Sequence, residues 1–292
     1  DGLAAEREQG ITIDVAYRYF STDKRKFIVA DTPGHEQYTR NMATGASTAE
    51  VAILMVDARH GIMPQTKRHS TIVHLLGVKK LVLAINKMDL MSFSETVFHD
   101  IVTQYRQFAD DIGVKEFEAI PVSALKGDNI TSKSESMPWY KGDTLMHYLE
   151  TVPLQKANIL EPFSMPVQWV NRPHLDFRGF AGQITTGQIN VGDEVTVLPA
   201  NVSSKVQSIV MFHEEPVSAQ AGQSVTLTLS DEIDASRGDV IVSKNSNVQI
   251  GNRFQSTLLW MNEEPMTPGK SYWIKTRAKL FTGTVSKPTF KL

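Results

Sequence analysis

Three short polar clusters in the first half of the sequence carry residue types that bind nucleotides and metal ions. Each cluster follows an apolar, β-branched run, and their first residues are 55 and 37 positions apart, counted from 31 to 86 and from 86 to 123. Open α/β sheets bind ligands at the carboxyl ends of their strands, so this order predicts one shared site. The clusters are Asp31-Thr32-Pro33-Gly34-His35, Asn86-Lys87-Met88-Asp89 and Ser123-Ala124-Leu125.

The first cluster suits a terminal phosphate and its magnesium ion. A carboxylate at the end of a strand, here Asp31, can hold Mg²⁺ through water. Gly34 lets a backbone N–H approach the phosphate, because no side chain stands in the way. An Asp-x-x-Gly pattern is common by itself and gains meaning only from the clusters that follow it.

The second and third clusters suit a guanine base. The Asp89 carboxylate can accept two hydrogen bonds from the N1 and N2 edge of guanine, and Asn86 can reach the N7 side. The Lys87 stem can lie along the base plane, and backbone N–H groups of 123–125 can donate to O6. Alone, the second cluster is equally compatible with a loop that caps a strand. The three clusters in this order favour GTP or GDP as the ligand.

The segments that position these clusters alternate between strands and helices. Four runs are apolar on both faces, as in a mostly parallel sheet covered by helices, and the stretches between them have helical spacing. The predicted fold class is therefore an α/β GTPase domain of the P-loop type. Strands are predicted over 26–31, 51–58, 81–86 and 117–124, and helices over 36–47, 65–76 and 94–112.

From about Pro153 the pattern changes to short segments with a period of two, separated by Gly and Asp turns. This pattern predicts an antiparallel β-barrel followed by the start of a second one. The expected domains are 1–153 (GTPase domain), 154–247 (first barrel) and 248–292 (partial second barrel). The predicted strands are 191–199, 205–212, 223–229, 253–261 and 270–278.

Composition excludes several classes of protein. The 292 residues include no Cys, which excludes a disulfide framework, a thiolate nucleophile and Cys-ligated metals. The net charge of −2 argues against DNA as a partner. The longest apolar runs fall far short of the roughly 20 residues that a membrane-spanning helix needs. We expect a cytoplasmic protein with neither DNA nor a membrane as its partner.

With these clusters, the sequence resembles the translation-factor class of GTPases. The stretch 6–13 is similar to the end of switch I in that class, and 61–66 is similar to the stretch after its third strand. The resemblance implies that Thr12 and Asp31 hold Mg²⁺ and that Thr12 senses the γ-phosphate. It also implies that His35 is catalytic and orients the attacking water.

Longer stretches resemble one family within this class, the large GTPase subunits of bacterial sulfate adenylyltransferase. The resemblance implies a heterodimer in which this chain hydrolyses GTP. A small catalytic subunit makes adenosine 5′-phosphosulfate and pyrophosphate from ATP and sulfate. We hypothesise that 36–41 and one barrel face touch that partner. The stretches that carry the resemblance are 1–17, 35–47, 170–180 and 230–239.

One motif of the class is absent from these residues. The phosphate-cradling pattern G-x-x-x-x-G-K-[ST] occurs nowhere in the sequence. The family carries it upstream of switch I, so we expect the chain to begin after it and assign nucleotide hydrolysis to the intact protein. Two alternatives stay open: an elongation-factor-Tu-like GTPase that delivers aminoacyl-tRNA, and a fusion with an adenylylsulfate kinase domain after Leu292.

Overall fold

The structure is a computed structural model that describes residues 4–154, 159–174, 177–212, 214–276 and 279–290. The chain divides into two compact units. The first comprises Asp1–Leu154 and Thr257–Met261, and the second comprises Gln155–Ser256 and Asn262–Leu292. In the described part of the chain, no helix is both long and apolar enough to cross a membrane.

The first unit combines a parallel sheet, a separate hairpin and five helices. The sheet has the order β3-β4-β5, and the hairpin pairs β1 with β2 antiparallel. Single 3-10 turns lie at Glu36–Tyr38 and Met88–Met91. The elements are α1 (Ala4–Gln9), β1 (Ala16–Ser21), β2 (Lys26–Asp31), α2 (Thr39–Ala46), β3 (Val51–Asp57), α3 (Pro64–Leu75), β4 (Lys80–Asn86), α4 (Glu95–Ile112), β5 (Glu118–Pro121) and α5 (Leu145–Thr151).

The centre of this unit is β4, whose residues from Leu81 to Ile85 are buried on both faces. The helix α4 packs against the sheet through a buried stripe that includes Phe98 and Tyr105. Its ends follow from local chemistry: the Ser94 hydroxyl accepts a hydrogen bond from the Val97 N–H, and Gly113 ends the helix at φ 84°. The predicted helices and the three central strands are present, which confirms the α/β fold class.

The stretch 26–31 is a strand, as predicted, but it does not belong to the parallel sheet. It pairs with β1 through a four-residue connection, 22–25, and its Ile28 side chain is 69% exposed. In the described residues no strand pairs with the outer edge of β3. A local hairpin closes a short loop at little entropic cost, so β2 finds its hydrogen bonds there.

The second unit is an antiparallel structure of short strands. Seven of them form a sheet in the order β6-β14-β10-β11-β13-β8-β7, while β9 pairs with β12 and β15 pairs with β16. The strands are β6 (Ser164–Pro166), β7 (Trp169–Asn171), β8 (Gly179–Gln183), β9 (Gln188–Asn190), β10 (Glu194–Leu198), β11 (Val202–Val210), β12 (Ser218–Gln220), β13 (Ser224–Leu229), β14 (Val240–Ser243), β15 (Ser271–Thr276) and β16 (Lys279–Thr284).

The two edge strands of the seven-stranded sheet are consecutive in the chain, separated only by residues 167 and 168. Val167 N donates to Asp239 O (2.8 Å), and Gln168 N donates to Ala181 O (2.8 Å), so one stretch bonds both ends of the sheet. A side chain at Gly182 would collide with the Pro166 carbonyl oxygen. The sheet is therefore strongly curled, although the described strands form no closed ring of ladders.

The strand predicted over 253–261 is not present. Residues 253–261 form neither helix nor strand, and Leu259 and Met261 pack against the apolar core of the first unit. The Arg40 guanidinium also donates to Met261 O at 3.3 Å. An alternating sequence forms a sheet only when a neighbouring strand pairs with it, and here Leu259 and Met261 are partly buried without such a partner.

Some of the sequence predictions fall on residues outside the described ranges. These are residues 1–3 of the stretch 1–17, residues 175–176 of 170–180, and residues 277–278 at the end of the strand predicted over 270–278. The three-domain division remains a prediction.

Candidate nucleotide-binding site

The loop after β4 is built around the side chain of Asn86. Its Oδ1 accepts hydrogen bonds from Lys87 N (2.8 Å) and from Ala124 N (2.9 Å). One amide oxygen thus joins the second and third clusters. Lys87 takes a left-handed conformation (φ 65°, ψ 32°), which turns the chain sharply at the strand end.

The Asp89 carboxylate is oriented by the third cluster. Ser123 Oγ donates to Asp89 Oδ1 at 2.7 Å and accepts from Lys126 N at 3.3 Å. Ser123 is fully buried and Asp89 is half-buried, so this contact is partly shielded from water. No described residue bonds Asp89 Oδ2, which leaves that oxygen for a ligand.

The other members of these two clusters differ in exposure. The Met88 side chain is fully buried in the core, and its N–H donates to Val122 O at 3.2 Å, so this residue anchors the loop. The Leu125 side chain is 88% exposed, and Ala124 is also exposed. Because its side chain is buried, Met88 can contact a ligand only through its backbone.

A charged cluster that the sequence reasoning missed lies beside this loop. The Lys87 ammonium is 2.9 Å from Asp57 Oδ2. Arg59 binds the same carboxylate twice, with Nε 3.0 Å from Oδ1 and Nη2 2.7 Å from Oδ2. The Arg59 guanidinium, and then the Lys87 ammonium, hold the pKa of the Asp57 carboxyl well below its usual range. Asp57, like Asp31, is the last residue of an apolar strand. That position could have indicated from the sequence that Asp57 lies at the ligand-binding edge of the sheet.

The first cluster follows β2 and is more open. The Asp31 carboxylate is exposed and has no hydrogen-bond or ion-pair partner in the described chain. Pro33 is buried, whereas Gly34 and His35 are exposed. The His35 ring lies 6.3 Å from the Tyr38 ring, centroid to centroid.

The helix α2 approaches the first cluster closely because residue 45 is glycine. A Cβ at Gly45 would lie 2.6 Å from Thr32 Cγ2 and 3.3 Å from Val15 Cγ1. These distances are shorter than van der Waals contact, so any side chain here would push the loop away. The glycine thereby sets the position of Thr32.

The segment that carries Thr12 is held from two sides. Glu6 Oε1 accepts from Ile13 N (2.9 Å) and Asp14 N (3.1 Å), while Asn41 Nδ2 donates to Ile13 O (2.8 Å). Since Asn41 lies on α2, the same helix contacts both the Thr12 segment and Thr32. Thr12 itself is half-buried.

The predicted site residues therefore fall into two groups. Hydrogen bonds join 86–89 to 123–125, and α2 joins the Thr12 segment to 31–35. No hydrogen bond between described residues links one group to the other. That the two groups form one site remains a prediction.

The oxygen donors of Thr12 and Asp31 suit magnesium chemically. Mg²⁺ takes hard oxygen ligands and is usually held by one or two protein side chains together with substrate phosphates and water. An exposed carboxylate without a cationic partner fits that role. In the ranges that the structure describes, no group of three or more His, Cys, Asp or Glu residues forms a cage for a metal.

Comparison with known families gives two matches. The family of the elongation factor Tu GTP binding domain matches residues 1–209, and the family of elongation factor Tu domain 2 matches residues 181–242. Among solved structures, a bacterial selenocysteine-specific elongation factor EF-Sec is similar, with a TM-score of 0.51 and 25% identity. That match covers 98% of this chain and 47% of the other.

Curated relatives are more similar in sequence. Sulfate adenylyltransferase subunit 1 of Saccharophagus degradans is 56% identical over 292 residues, which is all of this chain and 62% of the relative. The bifunctional enzyme NodQ of a Rhizobium species (strain N33) is 53% identical over 292 residues and is covered to 45%. The chain therefore spans less than two thirds of the length of these relatives.

Proposed function

The chain belongs to the family of elongation factor Tu GTP-binding domains, and from that premise we propose that it is part of the GTP-hydrolysing subunit of a sulfate adenylyltransferase. The subunit couples GTP hydrolysis to formation of adenosine 5′-phosphosulfate and pyrophosphate from ATP and sulfate. The observation that carries the GTPase half is the bonded pair of loops at 86–89 and 123–125. Identity of 56% to a sulfate adenylyltransferase subunit 1 supports the rest.

Guanine recognition in this proposal falls to Asp89 and its neighbours. The Ser123 hydroxyl occupies Oδ1, so Asp89 Oδ2 is the oxygen most available to the N1 and N2 hydrogens of guanine. The Lys87 stem lies along the base, and the N–H of Leu125 donates to O6. Adenine offers a donor where guanine has O6 and lacks the N2 donor, so the same groups reject it.

The phosphate end falls to the first group of residues. Thr12 and Asp31 hold Mg²⁺, with Thr32 and Pro33 shaping the loop, and Gly34 presents its N–H to the γ-phosphate. When bound, Mg²⁺ neutralises charge on the phosphate oxygens. The exposed His35 imidazole orients the attacking water. Thr12 senses the γ-phosphate, and hydrolysis releases its segment.

The partner of this subunit is a small catalytic subunit, and the assembly acts in the cytoplasm. Forming a sulfate–phosphate anhydride is uphill, so the free energy of GTP hydrolysis must reach the partner through a conformational change. The segment 36–41 follows the γ-phosphate loop directly and is half or fully exposed. It is the surface through which we expect the partner to read the nucleotide state.

The test is a turnover assay on the full-length protein. We expect GTP hydrolysis to rise when ATP, sulfate and the small subunit are added together, and adenosine 5′-phosphosulfate to accumulate. Ribosomes with aminoacyl-tRNA serve as the competing addition. Stimulation by ribosomes alone would overturn the proposal in favour of an elongation-factor-like GTPase.

A further inference from the structure

The charged cluster beside the base-binding loop contains two residues, Asp57 and Arg59, that have no part in the function proposed above. We call Asp57, Arg59 and Lys87 the Asp57 cluster. Asp57 ends β3 and lies directly opposite Asn86, the last residue of β4, in the parallel ladder. The cluster therefore stands at the carboxyl edge of the same sheet that presents 86–89 and 123–125.

Lys87 is fixed at both ends by this arrangement. Its backbone N–H is bonded to Asn86 Oδ1 at 2.8 Å, and its ammonium lies 2.9 Å from Asp57 Oδ2. A free lysine side chain loses rotamer entropy when it is immobilised. Here the protein carries that cost before any ligand arrives, so the stem is ready to contact a base.

Arg59 keeps the acceptor in place. It grips the Asp57 carboxylate through two guanidinium N–H groups, and the Arg59 backbone N–H donates to Oδ1 at 3.0 Å. Two cations around one carboxylate leave the cluster with a net positive charge. The cluster therefore holds Lys87 without adding negative charge near a nucleotide, which would repel its phosphates.

We propose that Asp57 is a positioning residue for recognition of the nucleotide base. Its carboxylate holds the Lys87 ammonium so that the stem lies extended across the base site in the free protein. The inference rests on the proposed function, since the stem is a platform only if a base binds at 86–89. Asp57 acts through Lys87 and touches no nucleotide atom itself.

Calorimetric titration of GDP into the full-length protein tests the proposal. Asp57→Asn removes the charge that holds the ammonium, and we expect GDP to bind about 3- to 10-fold more weakly, as for a partly exposed charged pair. Asp110→Asn on the exposed face of α4 is the matched control and should bind as the wild type does. Arg59→Ala removes contacts that hold the Asp57 carboxylate but keeps the carboxylate itself, so we expect a smaller loss of GDP affinity than for Asp57→Asn.

A double-mutant cycle separates positioning from a general structural effect. In a Lys87→Ala background, Asp57→Asn should cost nothing further, because the side chain it positions is gone. Additive losses would overturn the proposal and indicate that Asp57 merely stabilises the fold.

The same titrations, repeated with ADP, distinguish the two levels of inference. A wild-type protein without preference for GDP over ADP would overturn the proposed function and this inference with it. A wild-type preference for GDP together with unchanged binding by Asp57→Asn would overturn the inference alone.

Discussion

The two halves of the proposed nucleotide site differ in how completely the protein itself assembles them. At 86–89, an amide, a carboxylate and a lysine are each bound by a neighbouring residue, and buried Met88 and Ser123 anchor them. At 31–35, Asp31, Gly34 and His35 are exposed, and Asp31 has no partner among the described residues. The base half is prebuilt, whereas the phosphate half leaves its ligating groups free for nucleotide and metal.

The largest effect that tests this contrast is expected at His35, on the phosphate side. His35→Ala should lower GTP turnover by about 10²- to 10⁴-fold, the usual contribution of a positioned acid–base group, and leave GDP affinity unchanged. Single-turnover kinetics on the full-length protein measure the chemical step. His99→Ala, an exposed histidine on α4, is the control. Equal losses in both variants would contradict a catalytic role for His35.

The next largest effect is expected at Asp89, on the base side. Here the nucleotide affinity should change, and the turnover at saturating GTP should not. Asp89→Asn replaces an acceptor with a donor, so we expect about 100-fold weaker GDP binding and improved binding of xanthosine diphosphate. Turnover at saturating GTP should change little. Competition titrations with both nucleotides measure this exchange. A variant that keeps its preference for GDP would show that Asp89 does not read the base.

A smaller effect is expected where α2 meets the first cluster. Gly45→Ala forces a methyl group to within 2.6 Å of Thr32 Cγ2 and should lower the free energy of unfolding by about 1–3 kcal/mol. Thr32→Ser removes that methyl group, so the double variant should recover most of the loss. Urea unfolding measures all three proteins. Failure of Thr32→Ser to rescue would mean that Thr32 is not the obstacle.

The smallest effect concerns acid stability and the Asp57 cluster. The cation contacts lower the pKa of Asp57 in the folded protein below its ordinary value of 3.8. A lowered pKa contributes stability above pH 3.8, and that contribution is lost as the pH falls below it. At pH 7 the free energy of unfolding should therefore be larger for the wild type than for Asp57→Asn. This difference should become smaller below pH 3.8. Urea titrations at pH 7 and below pH 3.8 measure the difference. A constant difference would contradict the ion pairing.

The sequence predicted the strands that carry the loops at 86–89 and 123–125, for a physical reason. Strands that are buried on both faces are unbroken apolar runs, so β4 and the cluster at its end are legible together. The bond between Ser123 and Asp89 follows once two such strands are neighbours. The ion pair between Asp57 and Lys87 could not be predicted from the sequence, because no local pattern specifies which charged residues, distant in the chain, will pair.

The errors have physical causes too. The apolar run at 26–31 does form a strand, but in the described residues it pairs only with β1, because an apolar run does not specify which strand it will pair with. The alternation in 253–261 did not produce a strand, because no described strand pairs with it, and two of its apolar side chains are partly buried against the core of the first unit instead. The hydrophobic periodicity and composition of a segment predict that it will be buried. Which part of the protein buries it depends on the rest of the chain.

The stretch that bonds both ends of the curled sheet has a consequence for synthesis of the protein. β6 is made early, whereas its partner β14 follows some seventy residues later, since Val240 pairs with Pro166. A nascent chain that has left the ribosome only as far as Leu229 still exposes the unpaired backbone of 164–166. Such an open edge is a template for wrong association until β14 has emerged and paired with it.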